Sequence, residues 1–173
     1  MGICAQRTVI ITGSGSGLGK AYALAFAAEG ANVVVNDIRT ESAEAVRDEI
    51  IAAGGKAIAT CDDITRMETA QKIVDAAIAA YGEVHTLVNN AGIVRDRMFV
   101  SMSEDDWDQV MRVHLRGHFC LANILCRRWR DQSKAGTPVD ARIINTTSGA
   151  GLQGSIGQSN YSAAKGGIAT LTL

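Results

Sequence analysis

Proline is almost missing from this chain of 173 residues: Pro138 is the single example. A chain so poor in helix breakers, yet carrying 18 glycines and abundant Ala and Val, is not a disordered or proline-rich segment. Its composition suits tight turns between strands and helices that pack closely. The four cysteines, Cys4, Cys61, Cys120 and Cys126, include no Cys-x-x-Cys pair and no accompanying histidine spacing. That excludes a disulfide framework and a zinc ribbon, and leaves free thiols in a reducing compartment. The charge is almost balanced, with a net value of -1 and a pI near 6.3, so nothing electrostatic points to nucleic acid or an anionic membrane. No apolar run reaches membrane-spanning length, and no leader-like apolar stretch precedes Val9. Met1-Gly2 opens like a myristoylation signal, but Gln6 stands where Ser or Thr is needed. The expectation is one cytoplasmic globular domain, residues 1–173, at 47% hydrophobic and 20% charged.

What the chain does have is a repeated alternation of short apolar runs and helical patterns. Thr8 to Thr12 is a β-branched, continuously apolar run of the kind buried on both faces of a parallel sheet. It enters Gly13-Ser14-Gly15-Ser16-Gly17-Leu18-Gly19 and then a helical pattern from Ala21 to Glu29. Strand, glycine-rich turn and helix form the context in which such a motif binds a pyrophosphate. The glycines let the backbone approach, and the helix N-terminus offers free N–H groups. A second strand, Ala31 to Asn36, ends in Asp37, eighteen residues past Gly19. A carboxylate there can accept hydrogen bonds from an adenosine ribose and repel a 2′-phosphate, which favours NAD over NADP. Arg39 close by works against that preference, and Asp37 is also placed to cap the helix from Thr40 to Ala53.

Lys56 to Cys61 predicts a third strand, followed by Asp62, Asp63, Ile64 and Thr65 and a helix from Arg66 to Tyr81. Asp63 either faces an adenine edge or helps start that helix. His85 to Val88 is a fourth strand leading to Asn89-Asn90-Ala91-Gly92, whose amides suit strand-end ties or a ligand crevice. Ser103-Glu104-Asp105-Asp106 is an acidic helix start with Ser103 as N-cap. One long helix is expected from there to about Arg130, with Trp107, Val110, Met111, Leu115, Phe119 and Leu121 as core and subunit-contact positions. His114 and His118 lie four apart on it, but with no third ligand in the pattern no metal site is assigned. Asp131 to Asp140 is expected as a polar loop, and Arg142 opens a fifth strand ending at Ser148. Strands alternating with helices imply an α/β fold, a doubly wound parallel sheet in three αβα layers.

Past Ser148 and a glycine-rich stretch come Asn160-Tyr161-Ser162-Ala163-Ala164-Lys165. Tyr161 and Lys165, four apart, share a helix face one turn apart. An ammonium near a phenol favours the phenolate, which makes Tyr161 a candidate acid/base, with Ser148 as a donor to a carbonyl or alcohol oxygen.

Taken together, Thr12-Gly13-x-x-x-Gly17-x-Gly19, Asn89-Asn90-Ala91-Gly92, Ser148 and Tyr161-x-x-x-Lys165 resemble the short-chain dehydrogenase/reductase family over essentially the whole chain. The resemblance implies a Rossmann-type fold and hydride exchange between a nicotinamide cofactor and a small-molecule alcohol or ketone. It further implies that Tyr161 is the acid/base, that Ser148 orients the substrate oxygen, and that Lys165 holds the nicotinamide ribose. Gly13, Ser16, Gly17, Leu18 and Gly19 would surround the pyrophosphate. Asp37 would select NAD, Asp63 and Ile64 would meet the adenine, and Asn90 would lie beside the cofactor ribose. A homodimer or homotetramer joined through the long helices is the implied assembly.

Two features depart from the pattern. Where the family places an Asn in its proton relay, this chain has His114, in Val113-His114-Leu115-Arg116-Gly117. That run, with Arg95-Asp96-Arg97-x-Phe99 and Asp106-Trp107-Asp108, resembles the (3R)-hydroxyacyl-CoA dehydrogenase part of multifunctional β-oxidation enzymes. The sequence also stops eight residues past Lys165, so the segment that covers the substrate in the family is expected to be missing.

Overall fold

A computed structural model describes residues 2–173. Five parallel strands, β1 (Thr8–Thr12), β2 (Asn32–Asn36), β3 (Lys56–Thr60), β4 (Thr86–Asn89) and β5 (Arg142–Asn145), lie in the order β3-β2-β1-β4-β5. The order reverses at β1, so chain leaving β1 and β4 diverges to open a crevice at their C-terminal ends. Every residue of β1 is buried. Successive side chains alternate between two cores, as a strand's two-residue period requires. Ile10, Val34 and Leu87 face the side covered by α3 (Met67–Tyr81) and α5 (Gly117–Lys134). Val9, Ile11, Val33, Val35 and Val88 face the side covered by α1 (Gly17–Ala28) and α2 (Thr40–Ala52). These are the three αβα layers. Each buried Val, Leu or Ile contributes roughly 1.5–3 kcal/mol of transfer free energy, which makes both cores the principal source of cohesion.

Helix ends follow local chemistry. Gly54 and Gly82 end α2 and α3 with φ of 84° and 81°, a region that disfavours a Cβ. The helix α4 (Glu104–Met111) opens on a full capping box in which Ser103 and Asp106 satisfy each other's backbone N–H groups.

The expected single helix to Arg130 is instead three pieces. After α4 comes a π-helical turn, Arg112–Arg116, and then α5, which runs on to Lys134 and so absorbs the first residues of the expected polar loop. The N–H of Gly117 donates five residues back to the carbonyl of Arg112, inserting one extra residue into the helix. Val110 and Leu121 are core residues, whereas Trp107 and Phe119 are 37% and 47% exposed. Helix α1 begins at Gly17, earlier than expected, because the glycine loop itself winds into it. Strand β5 ends at Asn145, three residues short of Ser148. Ser148 caps a short helix, α6 (Gly149–Gln153), ahead of α7 (Ser159–Thr172). β5 forms one edge of the sheet, with Ile144 46% exposed. Among the described residues no helix is long and apolar enough to cross a membrane.

Candidate active site

The crevice beside β1 is a cleft of about 560 Å³, lined by Gly13, Ser16, Asp37, Asp63, Ile64 and Asn90 among others. Gly13 has φ +62°, and a Cβ on it would lie 2.8 Å from the Cα of Ala91. Gly17 has φ +55°, a region that disfavours a Cβ, at the start of α1. A Cβ on Gly19 would collide with the Gly13 carbonyl and the Asn90 amide. These glycines are therefore required by backbone conformation and close approach, and the cradle they leave fits a pyrophosphate. Leu18 points outward, 64% exposed.

The loop is fastened by polar pegs. The Thr12 hydroxyl accepts the N–H groups of Asn90 and Ala91, each at 3.0 Å. The Asn90 side chain donates to the carbonyls of Thr12 and Gly13 at 3.0 and 3.2 Å. Asn89 donates to Asn145 at 3.0 Å and ties β4 to β5. Both amides of the pair are thus strand-end ties, and Asn90 lines the cleft as well.

Asp37 does not cap α2; Arg39 occupies the N-cap. The buried Asp37 carboxylate accepts the Gly15 N–H through Oδ2 and the Arg39 N–H through Oδ1, each at 3.0 Å. Arg39 leans back over the loop and donates to the Ser16 hydroxyl at 2.9 Å. Asp63 accepts the N–H and hydroxyl of Thr65 at 2.8 and 2.9 Å. It also pairs with Arg112 at 3.5 Å across the cleft.

Beyond the cleft, α7 presents Tyr161 and Lys165 on one face, as their spacing requires. The Lys165 Nζ lies 5.6 Å from the centroid of the Tyr161 ring and donates to the Thr146 carbonyl at 2.6 Å. Lys165 is 3% exposed, and burial pushes its ammonium down to about 8. The Thr147 hydroxyl donates to the Lys165 carbonyl at 2.7 Å, locking α7 to the end of β5. The Ser148 hydroxyl accepts the Ala150 N–H at 3.2 Å, which leaves its own O–H free to donate.

His114 is carried to this point by the π turn. Its ring stands edge-on to Tyr161, and its Nε2 lies 2.8 Å from the carbonyl and 3.1 Å from the N–H of Ile93. We assign the proton to Nε2, donating to the nearer carbonyl, because Nδ1 is buried without a partner and a bare lone pair costs less there than a bare N–H. Burial lowers His114 to about 4, with the charge of Lys165 adding to the effect, so the ring is neutral at physiological pH. His118 is fully buried and lowered to about 3, again chiefly by burial. Both of its ring nitrogens lack a hydrogen-bond partner, although the carbonyls of His114 and Asn89 are near enough to pull weakly the other way. Among the described residues no cluster of three or more His, Cys, Asp or Glu is poised to hold a metal.

Several site residues carry no motif. Asn160, fully buried, donates to the carbonyls of Arg95 and Asp106 at 3.0 Å each and accepts the Tyr161 N–H at 2.7 Å. It pins the start of α7 to α4 and to the loop after β4. Arg112 donates to the Thr65 hydroxyl at 3.0 Å and Arg116 to the Thr65 carbonyl at 2.8 Å. The only sequence signal for Asn160 is its position directly before Tyr161. The two arginines offer none, because their partner is 47 and 51 residues away.

Comparison with known proteins agrees with the fold. A crystal structure of a short chain dehydrogenase from Mycobacterium avium superposes with a TM-score of 0.98 and 54% sequence identity, over 100% of this chain and 63% of that one. The hydroxyacyl-CoA dehydrogenase ChsB1 of Mycobacterium tuberculosis is 47% identical over 96% of this chain and 55% of its own length. The peroxisomal hydratase-dehydrogenase-epimerase of Saccharomyces cerevisiae is also 47% identical over 96% of this chain, which corresponds to 19% of that longer protein. The chain thus spans about half of the mycobacterial relative and a smaller part of the fungal one. Residues 7–173 match the family described as short chain dehydrogenase, and the chain belongs to that family.

Proposed function

We propose that this chain is the cofactor-binding and acid/base part of an NAD-dependent oxidoreductase acting on a secondary alcohol or its ketone, with a 3-hydroxyacyl-CoA as the substrate class. The observation that carries the reading is the convergence of Tyr161, Lys165 and His114 beside a glycine-floored cleft. A nicotinamide dinucleotide, when bound, supplies the hydride acceptor or donor. Gly13, Ser16, Gly17 and Gly19 would hold its pyrophosphate, with Asn90 beside the ribose and Asp63 and Ile64 toward the adenine.

Tyr161 takes the proton from the substrate hydroxyl in oxidation and returns it in reduction. Ser148, its O–H unspent, donates to the same oxygen and fixes it against Tyr161. Lys165 supplies a positive charge at the phenol and a donor for the cofactor ribose. His114 stiffens Tyr161 through its edge-on ring contact. NAD is favoured because the Asp37 carboxylate sits in the cleft at the end of β2, where it can accept ribose hydroxyls and would oppose a phosphate. The acyl-CoA class is supported by the name of the mycobacterial relative. We also propose a cytoplasmic homodimer or homotetramer, with exposed Trp107 and Phe119 marking the contact face.

One observation favours a second reading, an NADPH-dependent 3-oxoacyl reductase. Arg39 hangs over the same cleft on the Ser16 hydroxyl, and swung outward it could receive a 2′-phosphate. Titration with NADH and separately with NADPH, followed by nicotinamide fluorescence, separates the two. Tight NADH and weak NADPH binding is expected; the reverse would replace the first reading by the second, and no binding of either would remove both.

A further inference from the structure

The π turn touches both ends of the site. On its outer side, Arg112 and Arg116 grip Thr65, one through the hydroxyl and the other through the carbonyl. Gly117, which closes the turn, is buried under Ile64, and a Cβ on it would lie 2.7 Å from Ile64 Cδ1. So the loop Asp62–Thr65 rests on the turn at three points. On its inner side, His114 holds Ile93 and stands against the Tyr161 ring. Gly92 can be nothing larger, because its Cβ would enter the His114 ring. Leu115 packs on α7, at 2.8 Å from where a Cβ on Gly167 would stand.

A π turn is less stable than the α-helix on either side of it, and persists only where outside contacts hold it. Relaxing to α would rotate one flank of the turn against the other by roughly 100° per residue displaced, so the turn could no longer set His114 on Tyr161 and Arg116 on Thr65 together. The contacts that hold the turn open are therefore those that place His114, and three of them belong to the loop that borders the cleft.

Resting on the reading of the cleft as an adenine-nucleotide site, we propose that occupancy of its adenine end is transmitted through the π turn to Tyr161, with Arg112 and Arg116 as positioning residues. An adenine seated against Asp63 and Ile64 presses the loop onto the two arginines and narrows the range of turn geometries. His114 is then held in its edge-on position. Binding energy from the remote half of the cofactor would thus be used to order the reacting half.

The test uses adenosine 5′-monophosphate, which lacks the nicotinamide, so that any response at Tyr161 must cross the protein. Only three histidines are present, His85, His114 and His118, and imidazole labelling resolves them by NMR. Saturating nucleotide is expected to shift the Gly15 amide and the His114 ring while leaving His85 still. In Arg116→Gln the Gly15 shift should persist and the His114 shift should be lost. Ile93 borders both the cleft and His114 and offers a rival route, but Arg116→Gln leaves Ile93 in place. A His114 shift retained in that variant would overturn the proposal. So would a wild-type Gly15 response without one at His114, with the cleft reading left standing. Silence at Gly15 would instead remove the cleft reading and the proposal with it. Arg116→Met, which removes the same donor but keeps an unbranched side chain and lies outside the cleft lining, gives the same test should Arg116→Gln fail to fold.

Discussion

The imidazole of His114 meets the Tyr161 ring at 5.3 Å between centroids with the planes at 90°. An edge-to-face pair of this kind is worth roughly 0.5–1.5 kcal/mol and fixes a ring's tilt more than its location. Here the ring so fixed carries the proposed acid/base hydroxyl. Lys165 stands near the same ring, so the phenol is steadied by an imidazole and faced by a cation.

Replacing Tyr161 with Phe removes only the hydroxyl. Turnover of a 3-hydroxyacyl-CoA should fall by about 10²–10⁴-fold, the usual scale for losing a general acid/base, while NADH affinity changes little. Steady-state kinetics with a parallel fluorescence titration measures both. Retained turnover would end the mechanism given for this site.

Acid should unfold the protein through its buried histidines. His114 and His118 titrate near 4 and 3 in the fold, against an ordinary 6.5 when exposed. The unfolded chain therefore binds protons first as pH falls, so the stability is present above pH 6.5 and drains away between 6.5 and about 3. The loss is on the order of 3 kcal/mol for His114 and 5 kcal/mol for His118. Urea melts across that window should show it, and His118→Leu should flatten the decline by roughly half. Lys165, lowered to about 8 from 10.5, has the opposite position on the scale. Its burial costs stability below pH 8, and that cost is relieved as pH rises from 8 to 10.5. A melt indifferent to pH between 3 and 6.5 would contradict the buried neutral pair.

Gly15→Ala tests the Asp37 anchor without touching either charge. The added Cβ would lie 2.7 Å from the Cβ of Ser42 and 2.8 Å from Asp37 Oδ2, pushing the carboxylate off the Gly15 N–H. NADH should bind about tenfold more weakly, a change of ~1.4 kcal/mol, and preference over NADPH should narrow. Isothermal titration with both nucleotides is the measurement; an unchanged ratio would mean that Asp37 does not set the preference.

Asn160→Asp keeps the shape and the acceptor of Asn160 but gives up both N–H donors. The carbonyls of Arg95 and Asp106 lose their partner. Stability should drop by on the order of 3 kcal/mol, since each buried unpaired group costs roughly 1–3. Because the lost bonds hold the N-terminus of α7, kcat should fall more than NADH affinity. Equal losses in the two would place Asn160 in general folding only.

How much was legible beforehand follows from how far each contact reaches along the chain. Gly13 to Gly19 and the pair Tyr161 and Lys165 are readable because each is dictated locally, by a turn that excludes Cβ atoms or by the pitch of one helix. Ser148 is readable beside a strand pattern, but the strand ends before it: Thr146 and Thr147 extend a β-branched pattern that in fact stops at Asn145. The π turn was invisible. Met111 to Gly117 fits an ordinary helical period, and the extra residue is imposed by Thr65 and Ile93, partners 21 to 51 residues away. Asn160 escaped for the same reason, because its two acceptors lie 54 and 65 residues upstream.

The central strands carry one more consequence. Since β1 is apolar on both faces, sliding it by one residue would still bury Val9, Ile10 and Ile11, so hydrophobicity gives the sheet no preferred alignment. The polar pegs at its end tell one alignment from its neighbour. These are Thr12 on Asn90 and Ala91, and Ser14, which accepts the Asn36 N–H at 3.0 Å. The same hydroxyls aim the glycine loop. In this fold the proofreading of strand alignment and the shaping of the nucleotide cradle are one event, so a chain that threads its sheet wrongly also fails to build the cradle.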